Sequence, residues 1–551
     1  MQKALYLFIF LFVCINLKAQ QEKPASAFTP QDTLRGSIGK GRQHWDVLHY
    51  DILVMPDIIN QKIKGENTII FKDNGADILQ IDLQDPMQID SIKEETTTVF
   101  FEREGNVYWL KLKKKNEPFV INRKISVFFQ GKPKVAVNAP WDGGWIWKTD
   151  KFNNPWITVA CQGLGASCWF PCKDSQEDEP DSGANIRILV PDSLVAISNG
   201  RMIKKSSPQK GYSVYEWQVR NPINNYNIIP YIGKYKHFSK TYQGLKGNLD
   251  MDFWVLEYNL EIAKMQFKDA TRMMKAFEYW FGPYPFYEDG FKLVEAPHLG
   301  MEHQSAIAYG NQFKKGYLGT DLSGSGYGLN WDFIIVHESG HEWFGNNITS
   351  KDIADMWIHE SFTNYSETLF TEYYYGKKAA QKYITGLRKR IANDKPIIGP
   401  YGVNKEGSSD MYDKGGNMIH TIRQLINNDE TFKSILKGLN KDFYHQTVTS
   451  EQIENYISKK SGIRLNEIFD QYLRTTKIPL LEYYFNEDNL YYKWSNTIEH
   501  FEMPVKVSID NKKEQWIYPT NNEFKRIKIK KSTKHELKLD ENFYIFGKYH
   551  S

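Results

Sequence analysis

The hydrophobic period changes twice along this chain, and no other feature limits the possible folds as much. From Trp45 to about Gly247 the text consists of short β-branched and aromatic runs, among them HYDILVM, NTIIFKD, KISVFFQ and YEWQV, punctuated by Asn, Gly, Pro and Asp. Short runs of this kind between turn residues predict an all-β domain. After Leu256 the spacing becomes helical, over residues 260–281, 331–344, 358–375, 377–392, 416–427, 432–443 and 451–459. Thr449 followed by Gln452 three positions on is a capping-box signature for the last of these. Strand text returns from Leu481 in YYKWS, VKVSI and FKRIKIKK, a stretch of only about 75 residues that predicts a small second β domain. The expected fold is α+β and multidomain: an N-terminal β domain over 20–247, a mainly helical domain over 248–475 and a small C-terminal β domain over 476–551.

Lys3 followed by an apolar run from Ala4 to Ile15 stands outside this scheme. A dozen residues fall short of the roughly 20 that span a bilayer core, and small Ala19 follows, so residues 1–19 read as a cleavable signal peptide. The expected location is therefore secreted or periplasmic, with no stable membrane span after cleavage. Past this leader only Cys161, Cys168 and Cys172 remain, an odd number within twelve positions. Such a set cannot form a cystine framework and lacks paired CxxC elements for zinc, so buried free thiols are expected. Lys plus Arg (70) against Asp plus Glu (66) leaves a net charge of only +4, which provides no global field for nucleic acid. The lysines of 525–531 and Lys534 alternate with Ile527 and Ile529, which points to protection of a sheet edge rather than a nucleic-acid patch.

The chemistry is concentrated in one stretch. Residues 331–345 read WDFIIVHESGHEWFG, with Asn330 expected to cap a helix and Gly345 to end it. Four residues apart on a helix, His337 and His341 project from one face and can converge on one ion. Glu338 is rotated by about one hundred degrees, which puts it beside a metal rather than on it, where it can take a proton from water. HExxH arises by accident in roughly one chain in fifty of this composition, and its structural reading is two core histidines on an apolar helix. What favours a metal is Glu360, 19 positions after His341 on the following helix, off the stripe of Ile358, Phe362, Tyr365 and Leu369. A third ligand there leaves an open coordination position for water. A short reversal over 346–351 is expected to set the two helices antiparallel, with Asp355, His359 and Glu367 available as neighbours of the ligating imidazoles. The longer motif HExxHxxGxxH fails, because Phe344 and Asn347 stand where it needs Gly and His.

Through His337-Glu-Ser-Gly-His341-Glu-Trp-Phe-Gly-Asn346, Trp357 and Glu360-Ser-Phe-Thr-Asn-Tyr-Ser-Glu367, the chain resembles the gluzincin zinc aminopeptidases, the family that includes aminopeptidase N and leukotriene hydrolase. The resemblance implies a thermolysin-like catalytic domain and one zinc per chain held by His337, His341 and Glu360, with Glu338 as the base. Leu299-Gly300-Met301-Glu302-His303 looks like the family's GxMEN loop, with Leu and His in place of the first Gly and the Asn. By that likeness Glu302 holds the substrate's free α-ammonium, and Gly300 and Met301 contact its backbone. Cys161-Gln162 with Cys168-Trp-Phe-Pro-Cys172-Lys-Asp174 resembles the family segment that reaches from the β domain into the cleft, which implies that Gln162 helps bind the amine. Tyr412-Asp-Lys414-Gly415 resembles YxKG, whose tyrosine stabilises the oxyanion. The family's carboxy-terminal helical superhelix has no counterpart in the strand-like text that follows residue 475.

The reaction expected is removal of N-terminal residues from peptides that have a free amine. Two other classes stay open at this stage. One is another hydrolase on the same metal, an epoxide hydrolase or an endopeptidase, and the other is an inactive zinc-bearing protein that binds peptide ends.

Overall fold

The computed structural model describes residues 28–113, 121–530 and 534–551. The proposed signal peptide and Lys531 lie outside them. None of the helices among the described residues is long and apolar enough to cross a membrane.

The N-terminal unit is built on an eight-stranded sheet. Its central strands, Trp45–Asp57, Lys62–Asp73 and Ile121–Gly131, are paired antiparallel in sequence order, and Trp45–Asp57 also pairs parallel with Ala184–Pro191. In Lys62–Asp73 the residues Ile63, Gly65, Asn67, Ile69 and Phe71 face inward while their neighbours face out, the alternation of period two that a half-buried strand requires. A four-stranded sheet of Gly144–Thr149, Pro155–Ala160, Val195–Ile197 and Tyr231–Gly233 packs into the same apolar core, which takes in Trp145, Val159 and Tyr231. Cys161, Cys168 and Cys172 are buried in this core as free thiols.

The second unit starts before its helical text does. Tyr235–Gly244 and Gly247–Leu256 form one hairpin, paired from Tyr235↔Leu256 to Gly244↔Gly247, and a division at 247/248 falls in its second strand. This hairpin continues into Phe291–Glu295, Ile307–Tyr309 and, at the sheet edge, Gly300–Met301. Strand text therefore runs on past the point where the chain enters the sheet of the helical unit. The helices Lys268–Phe281, Phe333–Gly340, Trp357–Tyr375, Lys377–Leu387 and Asp413–Ile426 follow.

Several helix bounds differ from the periodic reading. The 260–281 segment breaks at Phe267 (φ −73°, ψ 3°), whose ring packs on Phe253 and Tyr309. The HExxH helix is Phe333–Gly340, not 331–344. Buried Asp332, accepting from the Ile335 N–H, caps it in place of Asn330. Beyond His341 the backbone leaves the helix at Phe344 (φ −129°, ψ 98°) and Gly345 (φ +130°). The 377–392 helix stops at Leu387, and the 416–427 helix starts earlier, at Asp413. The capping box at Thr449 and Gln452 is formed, with both halves present.

The C-terminal β unit comprises a four-stranded and a three-stranded sheet. Lys525–Lys528 lies at the edge of the four-stranded one, with Ile527 against the core. The unit's Trp494, Val505 and Tyr544 belong to the same apolar core as the helices, and Tyr472 Oη donates to the Tyr544 carbonyl at 2.6 Å. It is fused to the helical unit by burial.

Candidate zinc centre and amine-binding corner

Trp357–Tyr375 is buried on all sides over residues 357–371. The apolar stripe therefore does not separate a dry face from a wet one. Packed between Phe333–Gly340, Lys377–Leu387 and Asp413–Ile426, this helix satisfies its polar residues internally: Ser361 donates to the Met411 carbonyl and Ser366 to the Thr363 carbonyl. Glu360 faces the HExxH helix, where His341 Nε2 lies 3.4 Å and His337 Nε2 3.9 Å from its Oε2. One donor atom from each of the three lies within 4.8 Å of the others, and all three side chains are buried.

The outward nitrogens of both imidazoles are occupied. His337 Nδ1 is 2.7 Å from Glu367 Oε1, and Tyr383 Oη donates to the other oxygen of Glu367 at 2.6 Å. His341 Nδ1 is 3.1 Å from the Phe344 carbonyl, which the backbone break at Phe344 and Gly345 turns towards it. A Cβ on Gly345 would stand 3.2 Å from that same Nδ1, in a backbone region that side chains rarely adopt. With protons held on Nδ1, both Nε2 lone pairs point to Glu360. Glu360 Oε2 is buried without a hydrogen-bond partner among the described residues. Two imidazoles and a carboxylate around an orphaned oxygen fit a zinc ion with an open fourth position. Phe333 and Tyr412 both stack on the His337 ring, with centroids 5.2 and 6.0 Å away.

Of the three expected neighbours of the ligands, only Glu367 takes that place. Asp355 instead accepts from Tyr401 Oη at 2.6 Å and from Ser450, and His359 Nε2 accepts from the Ser350 N–H at 2.8 Å. These groups fix the segment between the two helices, where Ile348–Ser350 pairs with Gln446–Val448 and replaces the simple reversal.

A cleft of about 770 Å³ opens over the three ligands and is lined by Glu338, Glu302, Met301, Gly300, Gln162 and Tyr412, among others. Burial pushes the Glu338 carboxyl up to about 7, with His337 and His341 pulling it back only in part. Gly300 lies against it: a Cβ there would stand 2.7 Å from Glu338 Oε1 and 2.9 Å from Ile334. Glu302 is buried, and its Oε1 accepts from Gln162 Nε2 at 2.5 Å and from Tyr226 Oη at 3.0 Å. Burial raises its carboxyl above the usual range, opposed by His341. The Glu302 carbonyl accepts from Asn346 Nδ2 at 2.8 Å, which ties the loop to the HExxH segment. His303 turns away to Tyr231 Oη at 2.9 Å. Tyr412 sits immediately before its helix, and burial raises its phenol well above the ordinary value. It stays a neutral donor at any working pH.

Residues 265–472 match the description of the Peptidase family M1 domain. The matched segment contains His337, Glu338, His341, Glu360 and Tyr412. Gln162 lines the cleft from outside it, and Tyr226, also outside it, reaches Glu302. Among curated relatives, the chain is 22% identical to tricorn protease-interacting factor F2 of Thermoplasma volcanium over 59% of its length and 42% of the relative's. It is 23% identical to leukotriene A-4 hydrolase of Xenopus laevis over 55% and 49%. With endoplasmic reticulum aminopeptidase 1 of Homo sapiens the identity is 21% over 50% and 30%. The chain thus spans less than half the length of these relatives. In fold it is similar to the M1 zinc metallopeptidase from Deinococcus radiodurans, with TM-score 0.66 and 18% identity over 80% of this chain and 95% of that one. It is also similar to Legionella pneumophila aminopeptidase A, with TM-score 0.75 and 16% identity over 92% and 60%.

Tyr226 had no local signal, since it sits in an Asn-rich stretch of the β unit. Only the docking of that unit on the helical unit brings its hydroxyl to Glu302. Tyr383 and Thr363, which support Glu367 and His341, were likewise unread.

Proposed function

We propose that this protein is a zinc-dependent aminopeptidase, with one zinc per chain, acting on peptides that carry a free N-terminus. The observation that carries this reading is the Glu302 carboxylate, buried beside the His337, His341 and Glu360 cluster and held there by Gln162 and Tyr226. A carboxylate fixed at that place pairs with an α-ammonium and sets the cut one residue in. Relatives named aminopeptidase and leukotriene A-4 hydrolase support hydrolytic chemistry.

His337, His341 and Glu360 hold the zinc, which when bound supplies a Lewis acid at the scissile carbonyl. Glu302, with Gln162 and Tyr226, orients the substrate amine. Glu338, with its carboxyl near neutrality, takes the proton of the attacking water and delivers it to the leaving amine. Tyr412 donates its hydroxyl hydrogen to the oxyanion, a bond that strengthens as charge develops. Gly300–Met301, the edge strand of its sheet, lines the cleft and offers its backbone to the substrate's. Secretion or periplasmic location, supported by residues 1–19, belongs to the same proposal; N-terminal sequencing of the mature protein checks it.

Comparing a peptide with its N-acetylated copy tests the reading. Cleavage of the free peptide only is expected, and equal cleavage of both removes the amine clamp in favour of an endopeptidase. Glu338→Gln is expected to retain zinc by metal analysis while hydrolysis of amino-acyl arylamides falls by roughly 10³-fold or more. Undiminished turnover eliminates Glu338 as the base.

A further inference from the structure

One acid in the cleft has no part in these steps. Glu406 precedes Tyr412 on the chain and lines the same cleft. It makes no hydrogen bond or ion pair with any described residue; only exposed Lys395 favours its charge, and from beyond pairing distance. Burial, with Glu360 and Glu302 adding to it, raises its carboxyl above the usual range. Of the two arginines that line the cleft, Arg390 is paired to Asp413 at 2.9 Å, and Arg35 stands 3.8 Å from Asp174 and makes no ion pair with Glu406.

The position of Glu406 indicates what it waits for. Its Oε1 lies 3.5 Å from where a Cβ on Gly163 would stand. Gly163 directly follows Gln162, whose amide touches Glu302. Glu406 thus abuts the corner that holds the substrate amine, where the side chain of the first residue must lie. Leu164, next to Gly163 on the chain, and Pro140 line the same cleft and offer apolar contact to a methylene stem. An unpaired, partly buried carboxylate at the end of such a wall costs free energy until a cation reaches it.

We propose that Glu406 selects peptides whose first residue is arginine or lysine, its carboxylate pairing with the side-chain cation while the α-ammonium sits on Glu302. The inference rests on the aminopeptidase reading, because the amine clamp is what places the first side chain beside Gly163.

The test uses zinc-loaded Glu338→Gln protein, titrated calorimetrically with argininamide and citrullinamide, which share shape and differ in charge. Argininamide is expected to bind at least about tenfold more tightly, as a charge-assisted pair in a sheltered site should. Adding Glu406→Gln is expected to bring the ratio to near one, and Glu406→Asp to keep part of it. Equal binding of the two amides, or a ratio that survives Glu406→Gln, overturns the proposal. In the wild-type chain the same ratio is read as kcat/KM on arginyl and citrullinyl arylamides. Binding preference without any arylamide turnover rejects the hydrolytic reading and keeps the selectivity. Equal turnover of the two arylamides rejects the selectivity and keeps the hydrolase.

Discussion

In the N-terminal β unit, Asp73 and Glu94 share one guanidinium: Arg123 donates to Asp73 at 2.8 Å and to Glu94 at 2.7 and 2.9 Å. In the cleft, Glu302, Glu338 and Glu360 gather around two imidazoles, Glu406 lines the same wall, and Arg390 is paired to Asp413. Burial works on both groups, with opposite outcomes. Arg123 and the Gly75 and Ala76 N–H groups outweigh it at Asp73, whose carboxyl is held below its usual range. Nothing comparable balances Glu338, which is pushed up to about 7. At Asp73 the counter-charge arrives with the fold, whereas Glu338 is left with its charge only partly balanced by the two imidazoles.

Substitutions can break this contrast. Among changes that leave the cleft acids themselves in place, the largest expected effect is at Gly300, where alanine drives a Cβ into Glu338 Oε1. Gly300→Ala should lower kcat by roughly 10²-fold, about 2.7 kcal/mol, at unchanged zinc content. A drop of less than threefold would mean that Glu338 has room the structure does not show. Next comes Arg123→Met, which strands two carboxylates. It should cost about 2 kcal/mol in denaturant unfolding and leave zinc affinity alone. No change in the unfolding midpoint would mean that these acids do not depend on their partner. Glu367→Gln weakens the acceptor of the His337 Nδ1 hydrogen, and zinc affinity should fall about tenfold in chelator competition.

The smallest effect is in pH. Because the folded-state carboxyl of Asp73 lies below its ordinary value of 3.8, its contribution to stability is fully present above that value. It is lost as pH falls through the lower folded value. The gap in unfolding midpoint between wild type and Asp73→Asn should therefore stay constant from pH 7 to about pH 5 and close below 3.8. A gap that widens in acid reverses the assignment.

The spacing of His337, His341 and Glu360, the position of Glu338 beside them, the capping box at Thr449 and the alternation of Lys62–Asp73 were all legible in the text. Each depends on contacts within a few residues or on which face of one element is buried, and periodicity records both. Gly345 as a helix end was legible, but the extended Phe344 before it was not, because the His341 ring and the Phe344 carbonyl fix it across the turn. Nor was the full burial of Trp357–Tyr375, since three other helices cover the face that would otherwise be wet. Asp332 displaced Asn330 as the cap because its carboxylate also accepts from Gln266, Tyr309 and Asn311, groups distant in sequence.

By itself, then, the sequence determined the three-part organisation and the gathering of His337, His341 and Glu360 with Glu338 beside them, since residue identity and short-range spacing are enough to specify them. Tertiary structure alone decided which acids are neutralised and which stay open. It brought Arg123 to Asp73, Tyr226 and Gln162 to Glu302, and left Glu406 facing Gly163 without a cation. The physical reason is that a carboxylate's charge state depends on water exclusion and on partners many residues away, and no local pattern of side chains encodes either.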